Sequence, residues 1–486
     1  MTALLLRGRR RLWNFKTLPE KNLDGRVIDL PRGKVLGGSS SVNGMLYARG
    51  LSTDYDYWAQ TGMPNWSWES VRPWFLKSED FMGSPLSEDH KIGGELAVSK
   101  RVIPVSPLAN AFVESGIAAG HKRVDDFNSP DPEGFGYYHF NIRNGRRESS
   151  YTAFLKAVEN RKNLTIETGL EVTRVILSGD KAVGVEVLRG STIYQIRAQS
   201  EVILSGGAIG SPAILLRSGV GPANDLKKIG IDPTFDLPEV GKNPQDHVLI
   251  RVSHKTSEEF SLHKLTRIDL ASIAFMQALI FGTGPMNTFP LEAGAYMRGT
   301  ASDIPNIQSA FLPALSTATI RFNPLSKSQN TGAGFMANAS VMRPESRGEV
   351  NLSGKNLSDK IQIRLNYLSD QRDLETLVDG VELLRDVFSQ KPFDKYREFE
   401  ISPGVDIKTR SALKDWVKST ANTVHHLAGS CRMGADKYSV TDPELRVRGI
   451  SGLRVADASI FPSITSANTA APTIMVAEKA AAFICK

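Results

Sequence analysis

Glu201-Val-Ile-Leu-Ser-Gly-Gly-Ala-Ile-Gly-Ser-Pro-Ala-Ile-Leu-Leu-Arg-Ser-Gly-Val-Gly221 decides the fold class. Glu201–Ser205 is a short apolar run with β-branched members, the composition of a buried strand. Gly206 and Gly207 interrupt it at once, and Ala213–Arg217 resumes as a helix that stops at Gly219. Ser211-Pro212 suits an N-cap followed by proline at the first helical position. A strand, a glycine turn and a helix make a nucleotide-compatible unit, although many α/β turns share that form.

Outward from this unit, strands alternate with helices, which predicts an α/β core with additions. Leu164–Thr168 and Val172–Leu177 alternate like strands, and Ala182–Leu188 pairs with the second across a turn at Ser178–Lys181. Leu453–Val455 reads as a strand, and Ile474–Ile484 as an alanine-rich helix packed on a sheet. Asp373–Phe388 has apolar residues at helical spacing. Ala271–Phe281 is apolar and short, and reads as a buried helix or pocket wall that favours an apolar substrate. From Ser261 to Ala421 no glycine-rich strand-to-helix turn occurs, so this stretch reads as a second lobe.

A chain of 486 residues exceeds one hydrophobic core, so two lobes are expected. The net charge of +7 comes from scattered residues; Arg7, Arg9, Arg10 and Arg11 form the one dense run, and no aromatic–basic repeat accompanies it. Nucleic-acid binding is therefore not expected. Cys431 and Cys485 suggest neither a disulfide framework nor a metal site. No apolar run approaches the ~18–20 residues of a membrane span. Met1–Leu6 is apolar but precedes the arginines, the wrong order for a secretory signal. A cytoplasmic or membrane-peripheral location is expected.

Two further blocks concentrate chemistry. Arg32-Gly-Lys-Val-Leu-Gly-Gly-Ser-Ser-Ser-Val-Asn-Gly-Met45 has backbone N–H groups and hydroxyls that suit a diphosphate cradle, and equally a plain Gly/Ser loop. Near the C-terminus stand His425-His-Leu-Ala-Gly-Ser-Cys-Arg-Met-Gly434, Leu453-Arg-Val-Ala-Asp-Ala-Ser459 and Asn468-Thr-Ala-Ala-Pro-Thr473. A histidine there can take a proton from a substrate hydroxyl, and an asparagine can orient that hydroxyl. Asp457 suits either a ribityl or ribose hydroxyl or a helix cap, and the histidine pair suits either catalysis or a satisfied buried pair.

These three blocks, in this order and spacing, resemble the glucose–methanol–choline oxidoreductase family, closest to its choline- and aliphatic-alcohol-dehydrogenase members. Trp13–Thr17, Asn243-Pro-Gln-Asp-His247 and Asp442-Pro-Glu-Leu-Arg446 extend the resemblance from Trp13 to the C-terminus. It implies a doubly wound FAD-binding lobe over residues 1–104, 162–260 and 427–486. A substrate lobe with an antiparallel sheet would take residues 105–161 and 261–426. It implies His426, three residues before Gly429, as catalytic base and Asn468 as its partner, with His425 structural. Val35, Gly38, Asn43, Gly44, Met45 and Leu46 would lie along the flavin, and Val172 at its adenine. Asp457, Ala458 and Thr469 would meet its diphosphate, ribityl chain and ring.

Members that tether the flavin do so through a histidine where this chain has Val42, so non-covalent FAD is expected. The photodecarboxylase branch has a cysteine and an arginine where this chain has Leu291 and Ala310, which argues against that chemistry. The resemblance also leads one to expect a Gly-x-Gly-x-x-Gly strand-to-helix turn, and this sequence has none. An absent N-terminal βαβ unit is therefore expected, leaving the FAD lobe incomplete. The implied activity is oxidation of a small-molecule alcohol, with oxygen, a quinone or another group as electron acceptor. The alternatives are a truncated, flavin-free binding protein and a cyanohydrin lyase.

Overall fold

The computed structural model describes residues 11–84, 87–100, 106–286, 290–315 and 332–485. Met1–Leu6 and the arginines at 7, 9 and 10 lie outside the described residues. The chain folds as a mixed α/β protein with two principal apolar cores.

The larger core lies on one face of an eight-stranded sheet. Its strand order is Glu400–Ser402, Val248–Lys255, Gly334–Val341, Ile307–Leu312, Ala293–Met297, Gly134–Tyr137 and Arg123–Val124, with Asn422–Thr423 also paired to Val248–Lys255. All pairs are antiparallel except the last, Arg123–Val124 with Gly134–Tyr137. Alternate residues of a strand face opposite sides. Val248, Ile250, Val252, Ala337, Ala339, Ile307 and Phe311 accordingly enter the core. Helix Gln371–Ser389 covers them with Leu374, Leu377, Val378, Val381 and Leu384, a stripe at helical spacing. Each such buried side chain contributes ~1.5–3 kcal/mol. Gly380 lets this helix approach closely, since a Cβ there would stand 2.6 Å from Ala339 Cβ. Asp370 caps the helix by accepting from the Arg372 N–H at 2.9 Å. The opposite sheet face carries Gln308, Ala310, Asn338 and Ser340, and turns toward the site described below.

In the second core Val202–Leu204 pairs in parallel with Leu453–Val455, and both segments are the strands expected from the sequence. Helices Ser52–Gln60, Trp68–Ser78, Gly207–Arg217 and Ala470–Ile484 surround them. Among the described residues this parallel sheet has two strands, and Ile203 on it is 41% exposed. The expected hairpin forms as Glu171–Ser178 with Lys181–Arg189, and Thr192–Arg197 extends it to a meander. Gly179 supplies the left-handed turn residue at φ 60°. Leu23, Ile28 and Leu30 pack into the first core, and Ala153 packs into the second.

Three expectations are corrected. Leu164–Thr168 is not a strand; the residues of LTIET are half-buried or exposed, and no strand among the described residues pairs with them. The helix after the glycine turn starts at Gly207, so Pro212 lies inside it and Ser211 is not its N-cap. Proline has no N–H for the Ala208 carbonyl four residues back, and Ser430 Oγ donates to that carbonyl instead at 2.7 Å. Helix Ile268–Phe281 is not buried: only Ala271 and Ala274 are, while Ile273, Leu279, Ile280 and Phe281 are 56–72% exposed.

Candidate active site

Backbone pairing brings the predicted base to its partners. Val248–Leu249 pairs with Asn422–Thr423, the Val424 N–H donates to the His247 carbonyl at 2.9 Å, and Gln245 and Ala428 exchange two backbone bonds. This short ladder sets the loop of His425 and His426 beside His247. His426 Nε2 meets Asn468 Nδ2 at 3.0 Å, so the two residues implied to be catalytic stand in contact. Asn468 sits just before helix Ala470–Ile484.

The hydrogen bonds determine the histidine tautomers. His247 Nε2 stands 3.0 Å from the Met342 carbonyl and 3.1 Å from the Thr465 carbonyl, both of which only accept. The proton of neutral His247 therefore lies on Nε2, and its Nδ1 is an acceptor. His426 Nδ1, 2.8 Å from His247 Nδ1, must donate to it. His426 Nε2 is then left with a free lone pair, to which the Asn468 amide donates. Gln308 Nε2 donates to Asn468 Oδ1 at 3.0 Å and so fixes which end of the amide faces the histidine. The arrangement presents an unprotonated ring nitrogen beside an amide donor.

Electrostatics keep His426 neutral. Burial pushes its pKa well below the ordinary histidine value, and the neighbouring His247, His425 and Arg32 add to the effect. Burial also lowers His247 and His425. Asp246 positions the loop: Oδ1 accepts from the His426 backbone N–H at 2.6 Å, and Oδ2 from Tyr367 at 2.6 Å and Thr423 at 2.5 Å. His425 has a left-handed φ of 69°, held by its N–H donating to Thr423 Oγ1 at 2.6 Å. This kink leaves the His426 ring as the one that meets Asn468.

The residues implied to touch the flavin fall into three places. Gly38 opens a single turn over Gly38–Ser41 at φ 54°, with open space where a Cβ would stand. Val35 is 37% exposed beside it. Asn43 Oδ1 accepts from the Met45 N–H at 3.0 Å and from Arg147 Nη1 at 2.8 Å; the first bond steadies Met45 at a left-handed φ of 63°. Gly44 and Met45 lead into strand Leu46–Tyr47. Met45 and Leu46 share an apolar cluster with Ala467, Ala310 and Leu291, which joins this loop to the Asn468 segment. Asp457 takes the capping role. Its Oδ1 accepts from the Ser459 N–H at 2.7 Å, and its Oδ2 from the Gly207 N–H at 2.8 Å and Ser211 Oγ at 2.5 Å. It ties the glycine turn to the Ala458 segment. Thr469 begins the last helix, and Val172 lies apart on the meander.

Arg147 tests whether the loop suits an anionic cofactor. Its guanidinium donates to the Ser40 carbonyl and Asn43, and burial draws its pKa down to about 10, with no acidic partner among the described residues. A half-buried cation against a Gly/Ser turn rich in N–H groups matches the diphosphate-bearing FAD.

Sequence reading did not single out Asp246, Gln308, Arg147 or a catalytic part for His247. The Asn243–His247 motif was the one signal for Asp246 and His247; Gln308 and Arg147 had none. A second polar cluster was also missed. His90 Nδ1 meets Glu79 at 2.8 Å and Nε2 meets Asp126 at 2.7 Å, with His139 Nδ1 3.4 Å from Asp126. Arg49 pairs with Glu79 at 2.6 Å. These groups join the loop before Leu96–Ser99 to the start of the sheet, a structural task.

Two GMC oxidoreductase family models match, the N-terminal one over residues 15–249 and the C-terminal one over residues 344–477. An oxygen-dependent choline dehydrogenase of Brucella melitensis is 40% identical over 477 residues, covering 97% of this chain and 85% of the relative. That of Pseudomonas savastanoi is 40% identical over 484 residues, covering 99% and 84%. The crystal structure of pyridoxine 4-oxidase from Mesorbium loti superposes with a TM-score of 0.86 at 32% identity, covering 99% of this chain and 90% of that one. A formate oxidase variant of Aspergillus oryzae shares the fold, with a TM-score of 0.91 at 24% identity over 99% and 89%. With the family model engaged from residue 15, the comparisons lend no support to an absent N-terminal unit, nor to the flavin-free reading built on it.

Proposed function

Because this chain belongs to the GMC oxidoreductase family, we propose that it uses non-covalently bound FAD to oxidise a small-molecule alcohol to an aldehyde or ketone. The observation that carries this reading is the neutral His426, with an unprotonated Nε2 that accepts from an amide donor 3.0 Å away. Residues 1–104, 162–260 and 427–486 would hold the flavin, and residues 105–161 and 261–426 the alcohol. Val35, Gly38, Asn43, Gly44, Met45, Leu46, Ala458 and Thr469 would lie along the cofactor, with Val172 at its adenine and Arg147 beside its anionic part. Asp457 contributes by holding the Gly207 turn. Val42 offers no side chain for a covalent tether. When bound, the flavin supplies an acceptor for the hydride from the carbinol carbon.

The protein's part is the proton. His426 Nε2 takes it from the hydroxyl, and the resulting positive charge is shared through Nδ1–H with His247. Asn468 donates to the developing alkoxide, with its amide held by Gln308. A base whose pKa lies below the usual histidine range is unprotonated throughout the neutral region, so turnover holds as pH falls until that lowered value is reached. Oxygen, a quinone or another acceptor would then remove the electrons, and oxygen consumption compared with dye reduction separates these. The exposed apolar helix Ile268–Phe281 supports a membrane-peripheral location; no helix among the described residues is long and apolar enough to cross a membrane.

The test is His426→Ala in the flavin-loaded protein. Turnover should fall by ~10²–10⁴-fold while the visible flavin bands remain, and acid precipitation should release the flavin to the supernatant. Near-normal turnover removes His426 from this role, and flavin retained in the pellet refutes non-covalent binding.

A further inference from the structure

On the site-facing side of the large sheet, strand Val248–Lys255 carries an arginine without a partner among the described residues. His247, just before the strand, turns its ring to His426. Leu249 and Arg251 follow at two-residue steps and share that side, while Val248, Ile250 and Val252 enter the core behind. The register sets Arg251 opposite Asn338 and Leu249 opposite Ser340. Ser340 stands opposite Gln308, which holds Asn468. Arg251 therefore shares one sheet face with the residues that position the reacting groups.

Its guanidinium makes no hydrogen bond or ion pair with any described residue. Burial lowers its pKa with no acid opposing the effect. It lies close enough to His425 to lower that group as well, together with Arg32. The charged groups gathered with Arg251 at His425 are Arg32, Asp246 and Asp29, the last paired with Lys16 at 3.1 Å. The Asp246 carboxylate is already engaged by Tyr367, Thr423 and the His426 N–H. A half-buried cation without an anion offers a place for a ligand that supplies one. A cationic headgroup would meet a net positive wall, with Leu249 and Arg251 where a carboxylate would be needed.

We propose that Arg251 selects an anionic alcohol, one whose carboxylate or similar group is held by the guanidinium while its carbinol meets His426 and Asn468. This rests on the alcohol-oxidation reading above. It separates this chain's substrate class from the choline named for its relatives. Arg251 stands four residues beyond His247, ~13 Å along an extended strand. Allowing for the reach of the guanidinium, the acid group and the carbinol would lie several carbons apart.

The test uses the flavin-loaded full chain with three alcohols of one length: 6-hydroxyhexanoate, 1-hexanol and 6-hydroxyhexyltrimethylammonium. The expected order of kcat/KM is anion, neutral, cation, with at least a hundredfold between the extremes. Arg251→Leu should raise KM for the acid at least tenfold more than for 1-hexanol. Arg251→Lys should restore most of that loss, and Arg251→Glu should reverse the order. A wild-type preference for the cation, or an unchanged KM for the acid in Arg251→Leu, overturns the proposal. Calorimetry with hexanoate, which has no carbinol, separates the two readings. Binding that disappears in Arg251→Leu supports the anion site even if no alcohol turns over, a result that would sink only the oxidation reading. No hexanoate binding to the wild-type chain overturns the anion site itself.

Discussion

Replacing His247 by phenylalanine tests the tautomer argument. His247 touches no substrate in this mechanism; its Nδ1 accepts a hydrogen bond from His426 Nδ1–H, the far nitrogen, at 2.8 Å. Before reaction this is a neutral hydrogen bond, contributing ~1 kcal/mol. Once His426 has taken the substrate proton, the donor is charged and the same bond contributes ~1.5–3 kcal/mol. The difference, and the loss of a fixed tautomer, fall on the transition state. At about 1.4 kcal/mol per decade, a difference of ~0.5–2 kcal/mol should lower kcat by ~2- to 30-fold with little change in KM. The variant also leaves the Met342 and Thr465 carbonyls without their donor, costing ~1–3 kcal/mol each. Its melting temperature should therefore fall, and rates must be taken where circular dichroism shows a folded chain. The assay is anaerobic stopped-flow reduction of the flavin at saturating alcohol. A folded, flavin-bound variant reduced as fast as the wild type would refute the reasoning.

Other consequences are more local. Burial disfavours the charged form of His90, yet its bonds to Asp126 and Glu79 outweigh this and raise its pKa. A raised folded value means stabilisation fully present below the unfolded histidine pKa and lost as pH climbs through the folded one. Thermal melts from pH 5 to 9 should show this decline, and His90→Gln should flatten it; an unaltered slope would exclude His90 as its source. Ser430→Ala leaves the buried Ala208 carbonyl unpaired and should cost ~1–3 kcal/mol in urea unfolding, whereas Ser430→Thr should retain most of the stability. If Ile268–Phe281 rests on a bilayer, the protein should co-sediment with vesicles containing phosphatidylglycerol. The exposed double substitution Ile273→Asp, Ile280→Asp should abolish this at an unchanged melting temperature; equal sedimentation of both proteins would remove the helix from that role.

The sequence alone determined the parts of this protein that depend on local chemistry. The strand and glycine turn at Val202–Gly207, the hairpin around Gly179 and the helix over Asp373–Phe388 are legible because apolar periodicity and left-handed glycines act within a few residues. The blocks holding His426, Asn468 and the Gly37–Met45 loop were legible as patterns too. Features that depend on distant partners were not. Pro212 sits inside a helix because Ser430, far along the chain, satisfies the carbonyl it frees. Asp457 became a turn clamp because Gly207 and Ser211 reach it. The apolar run Ala271–Phe281 looks like core, and periodicity cannot say that little covers it. Only the tertiary structure aligned Val248–Lys255 with strands more than fifty residues away, so that His247, Gln308 and Arg251 share one face with the catalytic pair. A tautomer or a selective charge is set by what stands across a gap of about 3 Å, and sequence order does not record which residue that will be.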